Sequence, residues 1–122
     1  MGLQQANQVA VEHQADDQHQ HQWHHQLQQQ LGAKGYAFDM NVACSSATFA
    51  ISNAVNAIRG GTAKVVLVVN PEFASPQVNY RSRDSHFIFG DVCTATIIEA
   101  EDSCTSNNAF RIKGMSLKTE FS

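Results

Sequence analysis

The run Lys64-Val65-Val66-Leu67-Val68-Val69-Asn70 constrains the fold of this chain more than any other stretch. Its five central residues are all apolar, with no alternation of apolar and polar positions, which is the pattern of a strand covered on both faces. Such a strand has to be sandwiched. The sequence before it supplies the parts: Tyr36 to Val42 reads as a strand of mixed character, and a helix follows Cys44. In that helix Ala47, Ala50, Ile51, Ala54, Val55 and Ile58 recur with the 3.6-residue period. Ser45, Ser46 and Thr48 place hydroxyls near its first turn, and Gly60-Gly61 closes it after Arg59. The many alanines predict close packing, on more than one side of the helix. Strand, helix, strand in this order is a βαβ unit, normally a right-handed crossover between parallel strands.

Beyond the valine run, Pro71 is expected to stop the strand, and Glu72 to Arg83 reads as a polar loop containing Pro76. His86-Phe87-Ile88-Phe89 leads into Gly90-Asp91 and a strand from Val92 to Glu99. Glu101 to Asn108 is a polar turn, and Phe110 to Phe121 reads as a further strand interrupted by Gly114. No internal repeat and no phosphate-binding glycine fingerprint is present.

The opening of the chain has a different composition. Gln14 to Gln30 is dominated by glutamine and histidine, with His19, His21, His24 and His25 around Trp23. Imidazoles at His21 and His25 would share one helix face and so allow metal binding. A polar low-complexity tract without fixed ligand geometry explains the same composition, and no metal is assigned. Residues 1–31 show no evident strand. Leu27 and Leu31, four apart and followed by Gly32 and Lys34, predict a helix end.

Length and charge narrow the class. A chain of 122 residues, 43% apolar, suffices for one domain with one core. A formal net charge of −3 disfavours binding nucleic acid through bulk charge. No apolar run is long enough to span a bilayer, and Met1 to Ala6 lacks the basic and apolar regions of a signal peptide. The expectation is a soluble, cytoplasmic protein. Cys44, Cys93 and Cys104 form a sparse, odd set without C-x-x-C pairing, which suits reduced thiols better than a disulfide framework or a structural zinc site.

Cys44 is the candidate for chemistry. In Phe38-Asp39-Met40-Asn41-Val42-Ala43-Cys44-Ser45-Ser46 an extended run turns sharply into the helix, which puts the cysteine at the helix N-terminus. Unpaired backbone N–H groups and the positive end of the dipole favour a thiolate there, hence a nucleophile. The alternative is a buried structural cysteine, because free cysteine is among the most buried residue types.

Several separated landmarks then converge. The run FDMNVACSSATFAISNAVNAIRGGTAKVVLVVNPE, followed by RDSHFIFGDVCTATIIEA, resembles the N-terminal half of the β-ketoacyl-acyl-carrier-protein synthase III family, one of the thiolase-like condensing enzymes. The resemblance runs from about Gln26 to Ser122. It rests on the Asp-x-x-x-Ala-Cys-Ser segment at Asp39 to Ser45, the valine-rich strand, and the Phe-Gly-Asp turn at Phe89-Gly90-Asp91. It implies an α/β, thiolase-like fold represented by an incomplete N-terminal half, a mixed sheet with a buried central helix. Residues 1–25 would then be a Gln/His-rich leader, disordered or unrelated to the family, and residues 26–122 a partial N-terminal domain.

In the family each half carries a sheet of order 3-2-1-4-5. Tyr36–Val42 would be strand 3, Lys64–Asn70 strand 4 and Val92–Glu99 strand 5. Strands 1 and 2 have no visible counterpart, which would leave Val65–Val69 with an unpaired edge.

The resemblance also implies an activity, the decarboxylative condensation of an acyl thioester with malonyl-acyl-carrier protein in fatty acid biosynthesis. Cys44 would be the nucleophile and its backbone N–H part of an oxyanion hole. Arg83 matches a family arginine that contacts coenzyme A, and a solvated loop arginine is its other reading. No cofactor is held permanently: acyl-coenzyme A or acyl-acyl-carrier protein, with malonyl-acyl-carrier protein, are substrates. Acyl-carrier protein is the implied partner and a homodimer the implied assembly, with no nucleic acid or membrane partner. The family completes its site with a histidine and an asparagine from the C-terminal half. His86 does not match that histidine, and Asn41, Asn53 and Asn56 match nothing catalytic. The alternatives are a catalytically incomplete fragment or remnant, and another enzyme of the thiolase fold.

Overall fold

The computed structural model describes residues 8–12 and 23–120. Its elements in chain order are β1 (Gln8–Glu12), α1 (Trp23–Leu31), β2 (Tyr36–Met40), α2 (Ser46–Arg59), β3 (Val65–Glu72) and β4 (Val92–Glu99). Short 3₁₀ turns occupy Ala43–Ser45, Ser75–Gln77 and Glu101–Ser103. Among the described residues the strands form one mixed sheet of order β2-β1-β3-β4, with β1 parallel to both β2 and β3 and β4 antiparallel to β3.

The valine run behaves as its composition dictates. Successive strand residues point to opposite faces, so Val66 and Val68 turn to one side and Val65 and Leu67 to the other. Val66 and Val68 are completely buried against Ala50, Ala54 and Ala57 of α2, with Ala63 and Ile98 closing the same cluster. On the opposite face Val65 and Leu67 pack with Ala33, Leu27, Leu31 and Ala37, under α1. Helix, sheet and helix therefore form three layers, and burying each valine of β3 contributes on the order of 1.5–3 kcal/mol.

Helix α2 approaches the sheet through a stripe of small residues: Ser46, Ala50, Ala54 and Ala57 are its buried positions. Ile51, Val55 and Ile58 flank the stripe and are half-buried. Thr48 and Asn56 are exposed, and an open groove lined by Ser52, Val55, Asn56 and Arg59 separates that side from Met115 and Leu117. The close packing predicted from the alanines is thus concentrated on the sheet-facing side. Both helices end as expected: Gly32 (φ 61°) follows α1 and Gly61 (φ 76°) follows α2, each in the left-handed conformation that glycine adopts without strain.

Three expectations are corrected. The first concerns residues 1–31, where no strand was evident. Gln8–Glu12 is a strand and lies between β2 and β3, pairing Val9 with both Ala37 and Leu67. One strand fills the place where the family order has two, so Val66–Val69 is paired on both edges. Its five residues are few, and backbone pairing between two waiting strands asks little of side-chain pattern. Residues 13–22, which hold the first half of the Gln/His tract with His19 and His21, lie outside the described residues, and the second half of the tract is in α1.

The second correction is at Pro71, which lies within β3 opposite Cys93 rather than ending it. The β1 ladder has run out at Val69, so β3 is there an edge on that side, where proline is tolerated. The third is the strand expected from Phe110: residues 110–120 form none, and the Phe110 side chain is exposed. The segment pairs with none of the four strands, and without a ladder partner its apolar residues do not make it one.

The central place of β1 is directly testable. Ala10→Pro removes a ladder N–H from the middle of the sheet. It is expected to abolish amide exchange protection on both neighbours, at Phe38 and Val68, while leaving the α2 amides of Ala54 to Ala57 the last to exchange.

Candidate active site

Strands β2 and β3 run parallel and β4 returns against β3, so three chain segments meet at one end of the sheet. These are the segment leaving β2 (Asn41 to Ser45), the loop leaving β3 and the residues entering β4. In open α/β sheets the carboxyl ends of the strands are where ligands bind. Cys44 belongs to the first segment, Arg83 to the loop, and Asp91 lies at the entry to β4. Topology thus brings together residues that sequence order separates.

The turn carrying Cys44 is tightly specified. Ala43 has φ 47°, the one positive value at a non-glycine residue among those described, and the left-handed conformation costs an L-residue about 1–2 kcal/mol. A set of short-range hydrogen bonds holds it there. The Ala43 N–H donates to Asn41 Oδ1 at 3.0 Å, and the Ser45 N–H to the Val42 carbonyl at 3.1 Å. Ser46 Oγ accepts from the Val42 N–H at 2.6 Å and donates to the Ala43 carbonyl at 2.8 Å. Ser46 is fully buried, 0% exposed, so one side of each of these two bonds is shielded from water.

The consequence is an exposed thiol on a rigid elbow. Cys44 is exposed, which sets aside the reading of a buried structural cysteine. Its N–H takes part in none of the turn's hydrogen bonds and belongs to the first turn, where helical N–H groups lack intrahelical acceptors. A nucleophilic atom and a backbone donor from one residue are what acyl transfer needs on its protein side.

The hydroxyls at Ser45, Ser46 and Thr48 suggest an ordinary helix cap in the sequence, and the structure uses them differently. Ser45, at the N-cap position of α2, makes no side-chain cap bond. Ser46 instead reaches back across the turn, and its place at the head of the buried alanine stripe is the signal that could have found it. A second unanticipated contact lies at the start of the motif: Asp39 Oδ2 is 2.8 Å from His24 Nδ1, tying β2 to α1.

The remaining candidates fall as follows. Arg83 is exposed within a series of tight turns running from Asn79 to Ile88. His86 is held inside that loop, its Nδ1 2.7 Å from the Ser82 carbonyl, and so is not aimed as a base for Cys44. Phe73, Tyr80, Phe87, Ile88 and Phe89 leave large apolar surfaces exposed on the same loop, Phe87 being 70% exposed. Among the described residues no group of three or more His, Cys, Asp or Glu side chains could hold a metal ion.

Comparison with known proteins decides the family. Residues 38–120 match the 3-Oxoacyl-[acyl-carrier-protein (ACP)] synthase III family. The chain belongs to that family. It is 53% identical over 97 residues to a beta-ketodecanoyl-[acyl-carrier-protein] synthase of Pseudomonas aeruginosa, covering 80% of this chain and 28% of that protein. It is 41% identical over 78 residues to a beta-ketoacyl-[acyl-carrier-protein] synthase III of Brucella anthropi, covering 63% of this chain and 24% of the relative.

Solved structures agree. The synthase III of Aquifex aeolicus superposes with a TM-score of 0.74 at 28% identity, covering 84% of this chain and 33% of that one. The priming β-ketosynthase of the R1128 polyketide pathway gives 0.76 at 26% identity, covering 83% and 30%. The fold is therefore the thiolase-like fold of these synthases, and the chain spans under a third of the length of either bacterial relative, from Pseudomonas or from Brucella.

Two substitutions probe the elbow. Ser46→Ala leaves the Val42 N–H and the Ala43 carbonyl without their side-chain partner, and is expected to lower unfolding stability in urea by about 1–3 kcal/mol. Ala43→Val puts a β-branched side chain in the left-handed region and is expected to destabilise. Ala43→Gly should stay within about 1 kcal/mol of the parent, since relief of strain is offset by glycine's freedom in the unfolded chain.

Proposed function

We propose that this chain supplies the nucleophile-bearing part of a β-ketoacyl-acyl-carrier-protein synthase of fatty acid biosynthesis. The observation that carries this reading is the exposed Cys44 on the Ala43 elbow, with its own backbone N–H in the first turn beside it. In the first half-reaction the Cys44 thiolate attacks the carbonyl carbon of an acyl thioester. The tetrahedral oxyanion draws on the Cys44 N–H, then collapses with loss of the donor thiolate, leaving an S-acyl cysteine. In the second, malonyl-acyl-carrier protein loses carbon dioxide. The resulting carbanion attacks the acyl-enzyme, forming a β-ketoacyl product and freeing Cys44.

Acyl-carrier protein is accordingly the partner and the cytoplasm the setting. Among the described residues no helix is long and apolar enough to cross a membrane. A homodimer is part of the same reading, and β2 is an outer strand of the described sheet, with one edge open to pairing. Arg83 is assigned to the nucleotide end of a coenzyme A donor, on the strength of its matching position and exposure.

A second reading is favoured by the 28% coverage of the Pseudomonas relative. The chain by itself would carry out at most the acylation half-reaction, because the second half-reaction draws on side chains that the family takes from its C-terminal half. One experiment separates the readings. Incubation with a medium-chain acyl-coenzyme A, followed by intact mass measurement, is expected to show a single acyl adduct that Cys44→Ala abolishes. An adduct persisting in that variant removes Cys44 from the role. β-Ketoacyl product on addition of malonyl-acyl-carrier protein would overturn the half-reaction reading.

A further inference from the structure

The loop that carries Arg83 is closed by one side-chain pair. The β3–β4 ladder ends with Glu72 opposite Val92. Just beyond it the chain diverges, and the Asp91 carboxylate grips Ser75 twice. Oδ1 accepts the Ser75 N–H at 2.8 Å, and Oδ2 accepts the Ser75 hydroxyl at 2.7 Å. The contact spans sixteen residues of sequence, so it fixes both feet of the loop at once. By contrast, the hydrogen bonds between Ala74 and Ile88 are local turns, such as Gln77 N–H to the Ala74 carbonyl and Ser82 N–H to the Asn79 carbonyl. They shape the loop without anchoring it to the sheet. The Ser75 hydroxyl and then its N–H hold the Asp91 carboxyl below its ordinary value, as expected of a carboxylate accepting two hydrogen bonds.

We propose that Ser75 and Asp91 form a clasp that positions the 76–90 loop, and with it Arg83, over the Cys44 end of the sheet to receive the nucleotide end of a coenzyme A thioester. This rests on the reading of Arg83 given above. Asp91 and Ser75 are positioning residues: they touch each other, and act on the ligand through the loop. A loop fixed at its feet binds with less ordering cost than one that must find its conformation on binding.

The test is binding of coenzyme A and of pantetheine, which lacks the nucleotide, to the 122-residue chain by calorimetry, alongside amide exchange of the loop. Asp91→Ala and Ser75→Ala are each expected to weaken coenzyme A binding by about three- to tenfold, the span of one to two exposed hydrogen bonds. The double variant should be no weaker than either single one, and Ser75→Thr should restore binding. The ratio of coenzyme A to pantetheine affinity should fall in the clasp variants, and the Ser82, His86 and Ile88 amides should exchange faster. Asp91 is exposed, Ser75 is half-buried and neither belongs to the core, so α2 exchange serves as the folding control.

Unaltered coenzyme A affinity in Asp91→Ala, or no acceleration of loop exchange, overturns the clasp. Absence of saturable coenzyme A binding by the unaltered chain overturns the assigned ligand. Arg83→Ala binding coenzyme A as tightly as the parent, while Cys44 is still acylated by an acyl-pantetheine, defeats the Arg83 reading and leaves the nucleophile standing.

Discussion

Burial of β3 on both faces is the constraint from which the other elements take their places. A strand made of Val65, Val66, Leu67, Val68 and Val69 has no face to give to water, so one helix is required above and another below. It also has two backbone edges to satisfy. β4 takes one and β1 the other, and β1 in turn carries β2. The alanine stripe of α2 follows from the same demand, since small residues let a helix lie close over the valines at native packing density.

The elbow at Ala43 depends on that arrangement. A left-handed alanine persists only where its surroundings over-determine it. Here the end of β2 and the start of α2 are both fixed by the core, and Ser46 joins them from inside. One residue supports two structures. Its backbone is the first residue of a packed helix, while its side chain closes the preceding turn. The exposed cysteine between them takes its backbone orientation from a turn that the buried Ser46 closes.

Much of this was legible in the residues. Period-3.6 apolar spacing marked α2, the unbroken valines marked a two-sided strand, and the Ala-Cys-Ser segment ahead of both pointed to the family. What escaped has physical reasons. β1 is five residues long within a glutamine-rich context, and its pairing is a backbone matter that composition hardly records. Pro71 stays in its strand because one neighbour has already ended there, a fact about register that no local rule contains. The Phe110 segment has strand-like composition but no partner, and β-propensity measures fit to a neighbour rather than an intrinsic habit. Ser46 and Asp91 stand in recognisable places in the sequence, but which atoms they reach is set by the folded turns.

The meeting of three separated segments at one sheet end also bears on how such a protein can vary. The turn that presents Cys44 is written in the six residues from Asn41 to Ser46, whereas the surface presented by residues 73–91 is written elsewhere and joined to it only through the sheet. Substitutions that reshape the loop therefore leave the geometry of the thiol alone. The cysteine turn and the loop surface are free to drift at different rates along one chain, much as a tool changes its grip while keeping its blade.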